Sequence, residues 1–187
     1  MKNNQPIKVF MVHQWIMSDL QTEILNRLNS NTSYKFIDNS FTKFKPVSPD
    51  MVEFIQEYAC GWMMDSDIII VLPDSTKDND FSEEGDSLDI LSQAPFRGNR
   101  DLNSLSVYTV ELQTLIFDSC NTKPVLVLGW TKEKAEYLIS LLKKPKVLEN
   151  PNNKADRFYP MGINEISEIN SIAKRIVSIL NNYNMQN

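Results

Sequence analysis

The side chains able to do chemistry in this chain are few. There is a single histidine, His13, which follows a short apolar run and is itself followed by Trp15. One carboxylate, Glu111, lies beside an apolar arc formed by Tyr108, Leu112 and Leu115 at helical spacing. Placed at the edge of a core, a glutamate is a candidate acid, base or electrostatic stabiliser. The pattern alone equally describes a structural carboxylate that snorkels to water. His13 and Trp15 offer aromatic rings at the end of a strand, suited either to stacking on a flat ligand or to ordinary packing. Ser18, Lys43 and Lys45 stand in flanking polar segments from which they can approach a diphosphate, although lysines in such segments are commonly just solvated.

Several other chemistries are excluded. Only five glycines occur, and none is spaced as GxGxxG or GxxxxGK[ST], so a backbone cradle for phosphates of either kind is absent. One histidine and two separated cysteines, Cys60 and Cys120, provide no metal-ligand spacing and no disulfide framework. The acidic stretch beginning at Asp78 has Glu83 where a calcium loop needs glycine at its sixth position. A phospho-acceptor receiver site is rejected too. Asp74 follows the third strand where the acceptor aspartate would stand, but the first strand runs into VHQW instead of the acidic residues that hold magnesium, and the fourth ends in GWT with no lysine to contact a phosphoryl group.

The elements that position these residues follow from periodicity. Residues 7–12 (IKVFMV), 67–72 (DIIIVL) and 123–128 (KPVLVL) read as buried strands, with a short strand at 34–37. Ser18 and Gln21 form a capping box for a first helix carrying Leu20, Ile24, Leu25 and Leu28. Ser48 and Pro49 start a second helix running to about Trp62, with Met51, Val52, Ile55, Ala59 and Trp62 toward the core. A polar, acidic insert follows at 74–103, read as a lid or a loop. A third helix spans about 104–119, and Thr131 caps a fourth bearing Ala135, Leu138, Ile139 and Leu142. An edge strand is expected near 146–148. Asn164 caps a last helix whose apolar face includes Ile166, Ile169, Ile172, Ala173, Ile176 and Leu180. Trp130 and the methionines are most simply core.

Regular alternation of strand and helix implies one α/β domain spanning residues 1–187: a flavodoxin-like three-layer α-β-α sandwich around a parallel sheet of order 2-1-3-4-5. Ligands of such sheets bind beyond the carboxyl ends of the strands at the switch point, here between the first and third strands. A net charge of -5 and the lack of an arginine-rich stripe argue against nucleic acid as a partner. No apolar run suits a membrane span or a signal peptide, and the cysteine usage fits a reducing, cytoplasmic setting.

Several segments, taken in order, resemble the TIR-like family of standalone prokaryotic domains, of the type found in Thoeris anti-phage defence. They are KVFMVHQW with Ser18 and Asp19, then KFIDNSFTKFKP at 35–46, then DSDIIIVL, then SVYTVELQTLIFDSCNTKPVLVL, together covering most of the chain. The resemblance implies an enzyme that takes NAD as substrate, needs no cofactor and no metal, and cleaves the nicotinamide–ribose bond to release an ADP-ribose-type signal. It maps the family's functional helical glutamate onto Glu111, which would grip the ribose hydroxyls and stabilise an oxocarbenium-like transition state. His13, Trp15, Ser18, Asp74, Tyr108 and Lys45 make up the expected substrate-binding set. A homo-oligomer, and an effector protein reached through a diffusible nucleotide, are the further partners implied. Two alternatives stand beside this one. The first is a non-catalytic adaptor working through homotypic contacts. The second is a nucleoside deoxyribosyltransferase-like N-glycosidase, in which Asp74 would assist Glu111.

Overall fold

The computed structural model describes residues 5–13, 17–30, 34–40, 50–73, 111–112, 114–115, 122–142, 157–163 and 166–186. Its described elements are β1 (Ile7–Val12), α1 (Ser18–Ser30), β2 (Phe36–Asp38), α2 (Asp50–Asp65), β3 (Ile68–Val71), a helical turn bearing Glu111, Leu112, Thr114 and Leu115, then β4 (Val125–Gly129), α3 (Lys132–Leu142), β5 (Phe158–Gly162) and α4 (Ile166–Gln186). The five strands form one sheet in the order β2-β1-β3-β4-β5, and every pairing is parallel. This is the expected topology, with helices flanking the sheet.

Strands β1, β3 and β4 are rich in β-branched residues, and β3 and β4 are buried throughout, because both faces of the sheet are covered. Alternation sorts their side chains between the faces. Ile7, Val9 and Met11 join Phe36, Ile68, Ile70, Leu72, Leu126 and Leu128 in a core closed by Ile24 and Leu28 of α1 and by Ile172, Ala173, Ile176, Ile179 and Leu180 of α4. Phe10, Val12, Ile69, Val71, Val125 and Val127 point the other way, toward the side where right-handed crossovers place α2, the Glu111 turn and α3. There Ala59, Met63, Leu112, Leu115, Ala135, Leu138 and Leu142 are buried. Each fully buried aliphatic side chain contributes about 1.5–3 kcal/mol from burial alone.

Four expectations are revised. The fifth strand is Phe158–Gly162; residues 146–148 lie outside the described residues. FYPMG reads poorly as a strand because it holds a proline and a glycine, but an edge strand tolerates a proline whose missing N–H would face away from the ladder. The second strand is shifted onto Phe36–Asp38. Trp62 is exposed rather than core, and Met63 is fully buried in its place. Gln21 is buried but reaches across to Asp38 at 2.8 Å, not back to its own helix terminus. By contrast Thr131 caps α3 as expected, its hydroxyl oxygen accepting from the Lys134 N–H at 3.3 Å and its carbonyl from the Ala135 N–H at 3.2 Å.

The free edge of the sheet at β2 is occupied. Asn29, in the last turn of α1, accepts from the Phe36 N–H through Oδ1 at 2.9 Å and donates to the Phe36 carbonyl through Nδ2 at 3.2 Å. One amide side chain thus satisfies both edge-facing groups of that residue, as a neighbouring strand would. At the opposite side of the sheet Gly129 and Gly162 are register partners. A Cβ on Gly129 would come within 2.5 Å of the Ala135 nitrogen and one on Gly162 within 2.9 Å of the Lys132 nitrogen, so both glycines are required for α3 to start against the strand ends. Among the described residues no helix is long and apolar enough to cross a membrane.

Candidate functional site

The site is built around an uneven strand end. β1 pairs with β3 up to Val12, and the Leu72 N–H still donates to the Val12 carbonyl at 2.9 Å. On its other side β1 loses its partner early: β2 ends at Asp38, opposite Val9. Beyond that point the Asn39 N–H donates to the Val9 carbonyl, and the Ser40 hydroxyl accepts from the Met11 N–H, standing in for the missing strand. The outer corner of β1, next to the switch point between β1 and β3, is therefore lined by side chains instead of ladder.

Asp38 is held firmly in that corner. Its Oδ1 accepts from the Ser40 N–H at 2.8 Å and from the Ser40 hydroxyl, while Oδ2 accepts from Gln21 Nε2 at 2.8 Å. Gln21 and Ser40 are both buried. With three donors turned on it, this carboxylate is a fixed negative charge beside the end of β1.

His13 follows the last residue of β1 and is 5% exposed. Its Nδ1 lies 3.0 Å from the Met11 carbonyl oxygen. A carbonyl only accepts, so Nδ1 carries the proton and Nε2 is the acceptor nitrogen. Burial pushes the imidazole pKa down, partly offset by the bond to the Met11 carbonyl and by the charge on Asp38. The ring is thus neutral near pH 7, in one tautomer, and offers little open face for stacking.

Glu111 is 1% exposed, and neither carboxylate oxygen completes a hydrogen bond. Burial drives its pKa well above the ordinary glutamate value. The backbone N–H of His13, which faces the carboxylate without reaching full hydrogen-bond geometry, works against this, and the charge on Asp38 adds to the rise. Buried polar groups are nearly always partnered, so an orphaned carboxyl beside the end of β1 is the candidate around which a site can be argued.

The turn bearing Glu111 is anchored from below by Arg157, a residue sequence reasoning passed over. Arg157 is fully buried where β5 begins. Its Nη2 donates to the Leu115 carbonyl at 2.9 Å, Nη1 donates to the Lys123 carbonyl at 3.1 Å, and the guanidinium lies 4.7 Å from the Phe158 ring centroid. Arg157 thereby fixes the residue one helical turn after Glu111 against the entry to β4. Nothing in the local pattern of KADRFYP marks this role, because its partners are two backbone carbonyls distant in sequence. Asp38 was visible as part of a loop segment, but its place between Gln21 and His13 depends on how short β2 turns out to be.

Of the expected set, Glu111 and His13 are brought together. Ser18 is the half-buried first residue of α1, its carbonyl accepting from the Thr22 hydroxyl at 2.9 Å. Trp15, Lys43, Lys45, Asp74 and Tyr108, and the 74–103 insert, lie outside the described residues. Among the described residues no group of three or more histidine, cysteine, aspartate or glutamate side chains could hold a metal ion. No protein-family model, curated protein or solved structure matches the chain.

Proposed function

We propose that this protein is a TIR-like NAD-consuming enzyme that cleaves the nicotinamide–ribose bond to make an ADP-ribose-type nucleotide signal in bacterial antiviral defence. The observation that carries this reading is the buried, unpartnered carboxyl of Glu111 at the switch point of a parallel sheet, where ligands of such folds bind. Burial raises the pKa of this carboxyl well above the ordinary glutamate value, so its charged form is disfavoured by its surroundings. A cationic nicotinamide ring beside it would favour the ionised form of the carboxyl. As the C1′–N bond lengthens, charge migrates from the ring to the ribose. A carboxylate positioned on the ribose then gains most in the transition state, which is the condition for catalysis rather than mere binding. Nicotinamide departs neutral, so no general acid is needed.

The test is nicotinamide release from NAD by the purified protein, at low and high protein concentration, beside Glu111→Gln. Release is expected from the native chain and should fall by at least about 10²-fold in the variant, the scale of losing one transition-state charge contact. Release that survives the substitution would remove Glu111 from the mechanism. The same assay with nucleosides in place of NAD tests the deoxyribosyltransferase-like reading.

The non-catalytic alternative has its own support on α2. Tyr58, Trp62 and Met64 are exposed, and the two rings pack edge to face with centroids 6.0 Å apart. Exposed aromatics of this kind suit protein–protein contact. Concentration-dependent self-association with no NAD turnover would favour that reading.

A further inference from the structure

We infer that His13 is the general base of the cleavage, taking the proton from the water that attacks C1′ of the ribose; this rests on the NAD reading of the same site. Three features support the assignment. The bond from Nδ1 to the Met11 carbonyl fixes the proton on the side of the ring facing the backbone and leaves Nε2 as a lone-pair acceptor. Burial keeps the ring neutral near pH 7, the form in which it accepts a proton. The backbone N–H of the same residue faces Glu111, so the base and the charge-stabilising carboxyl are set by a single peptide unit at the end of β1. The charged group that acts on the ring is Asp38 of β2, and the carboxyl of Glu111 on the facing helical turn meets the backbone of the same residue. Asp38 is held by Ser40 and Gln21, and its negative charge favours the imidazolium formed when the proton arrives.

The step balances. The electron pair of the C1′–N bond leaves with nicotinamide, which departs neutral. The water oxygen forms the new bond to C1′, its proton passes to Nε2, and the imidazolium returns that proton to solvent. The product is ADP-ribose.

The experiment compares native protein, His13→Asn and Glu111→Gln, each with NAD in buffer and in buffer containing sodium azide. Asparagine keeps an N–H for the Met11 carbonyl but cannot act as a base, and azide attacks carbon with no proton to lose. Hydrolysis by His13→Asn is expected to drop about 10²-fold. Azide should restore its nicotinamide release, with ADP-ribosyl azide as product, and should restore none to Glu111→Gln. On the acid side, the logarithm of the native hydrolytic rate should fall with a slope approaching two, and that of His13→Asn with a slope of one. A folded His13→Asn that hydrolyses NAD at the native rate, or that azide fails to rescue, would overturn the assignment. His13→Gln serves if the first variant does not fold, and failure of both to fold would make the histidine structural. The native arm separates the two ideas: no cleavage by native protein removes the NAD reading and this one with it, whereas cleavage without azide rescue removes this one alone.

Discussion

Glu111 illustrates how a buried carboxyl can burden its own fold. A carboxyl with no partner in a dry setting costs about 1–3 kcal/mol relative to a satisfied group. Its raised pKa makes that cost depend on pH. The folded chain holds the proton more tightly than the unfolded chain, so this group favours the fold most below the unfolded glutamate value of about 4.3. The benefit fades as pH rises through the elevated folded value. Glu111→Leu, which is similar in volume and has no polar atom, should therefore be more stable than the native chain at pH 7 by about 1–3 kcal/mol. Its Tm should rise by roughly 2–4 °C per kcal/mol, with the gain shrinking toward pH 4. Thermal unfolding across that range checks it; a variant less stable than native at pH 7 would mean that the carboxyl has a structural partner. The residue was legible from helical spacing, which gives the side of a helix but not its depth. The turn that carries it is tied down by Arg157 through the Leu115 carbonyl, a contact about which spacing carries no information.

Elements interact through features even less visible in the sequence. The ends of α1 and β2 are joined by Asn29, whose amide satisfies both edge-facing groups of Phe36 and also donates to the Leu25 carbonyl at 3.2 Å. Asn29→Ala should lower stability by about 1–2 kcal/mol, from the lost bonds and the unsatisfied edge. Measured by thermal unfolding together with light scattering, it should also increase aggregation on heating, because an uncovered edge recruits strands from other chains. Unchanged stability and scattering would show that water replaces the amide at no cost. The shift from Trp62 to Met63 has a similar origin. From Ala59, positions three and four residues on lie on either side of the same face, and only the tilt of α2 decides which is buried. Strand β5 stayed hidden because an edge strand needs fewer of the signals that identify a central one.

At the scale of the whole molecule the sequence was most informative. Unbroken apolar runs at β3 and β4, with a nearly apolar β1, demand cover on both faces, and alternation with helices then leaves few topologies open. The layer made by α1 and α4 joins early and late parts of the chain. Arg27 donates to Asn170 Oδ1 at 3.1 Å, and the Tyr183 hydroxyl donates to the Thr122 carbonyl just before β4. Ile176, fully exposed in the unfolded chain and inaccessible in α4, sits within that core. Ile176→Ala should cost about 2–5 kcal/mol in chemical denaturation. A loss under 1 kcal/mol, the scale of a surface change, would show that α4 is only loosely docked. Seen as a newly made polypeptide, the same arrangement has a cost in time. At about 5–20 residues added per second, roughly 7–30 s separate the emergence of Ile24 and Leu28 from that of Ile176 and Leu180. Until α4 emerges, the face it shares with α1 has only part of its cover, and apolar surface exposed in a nascent chain is prone to aggregate.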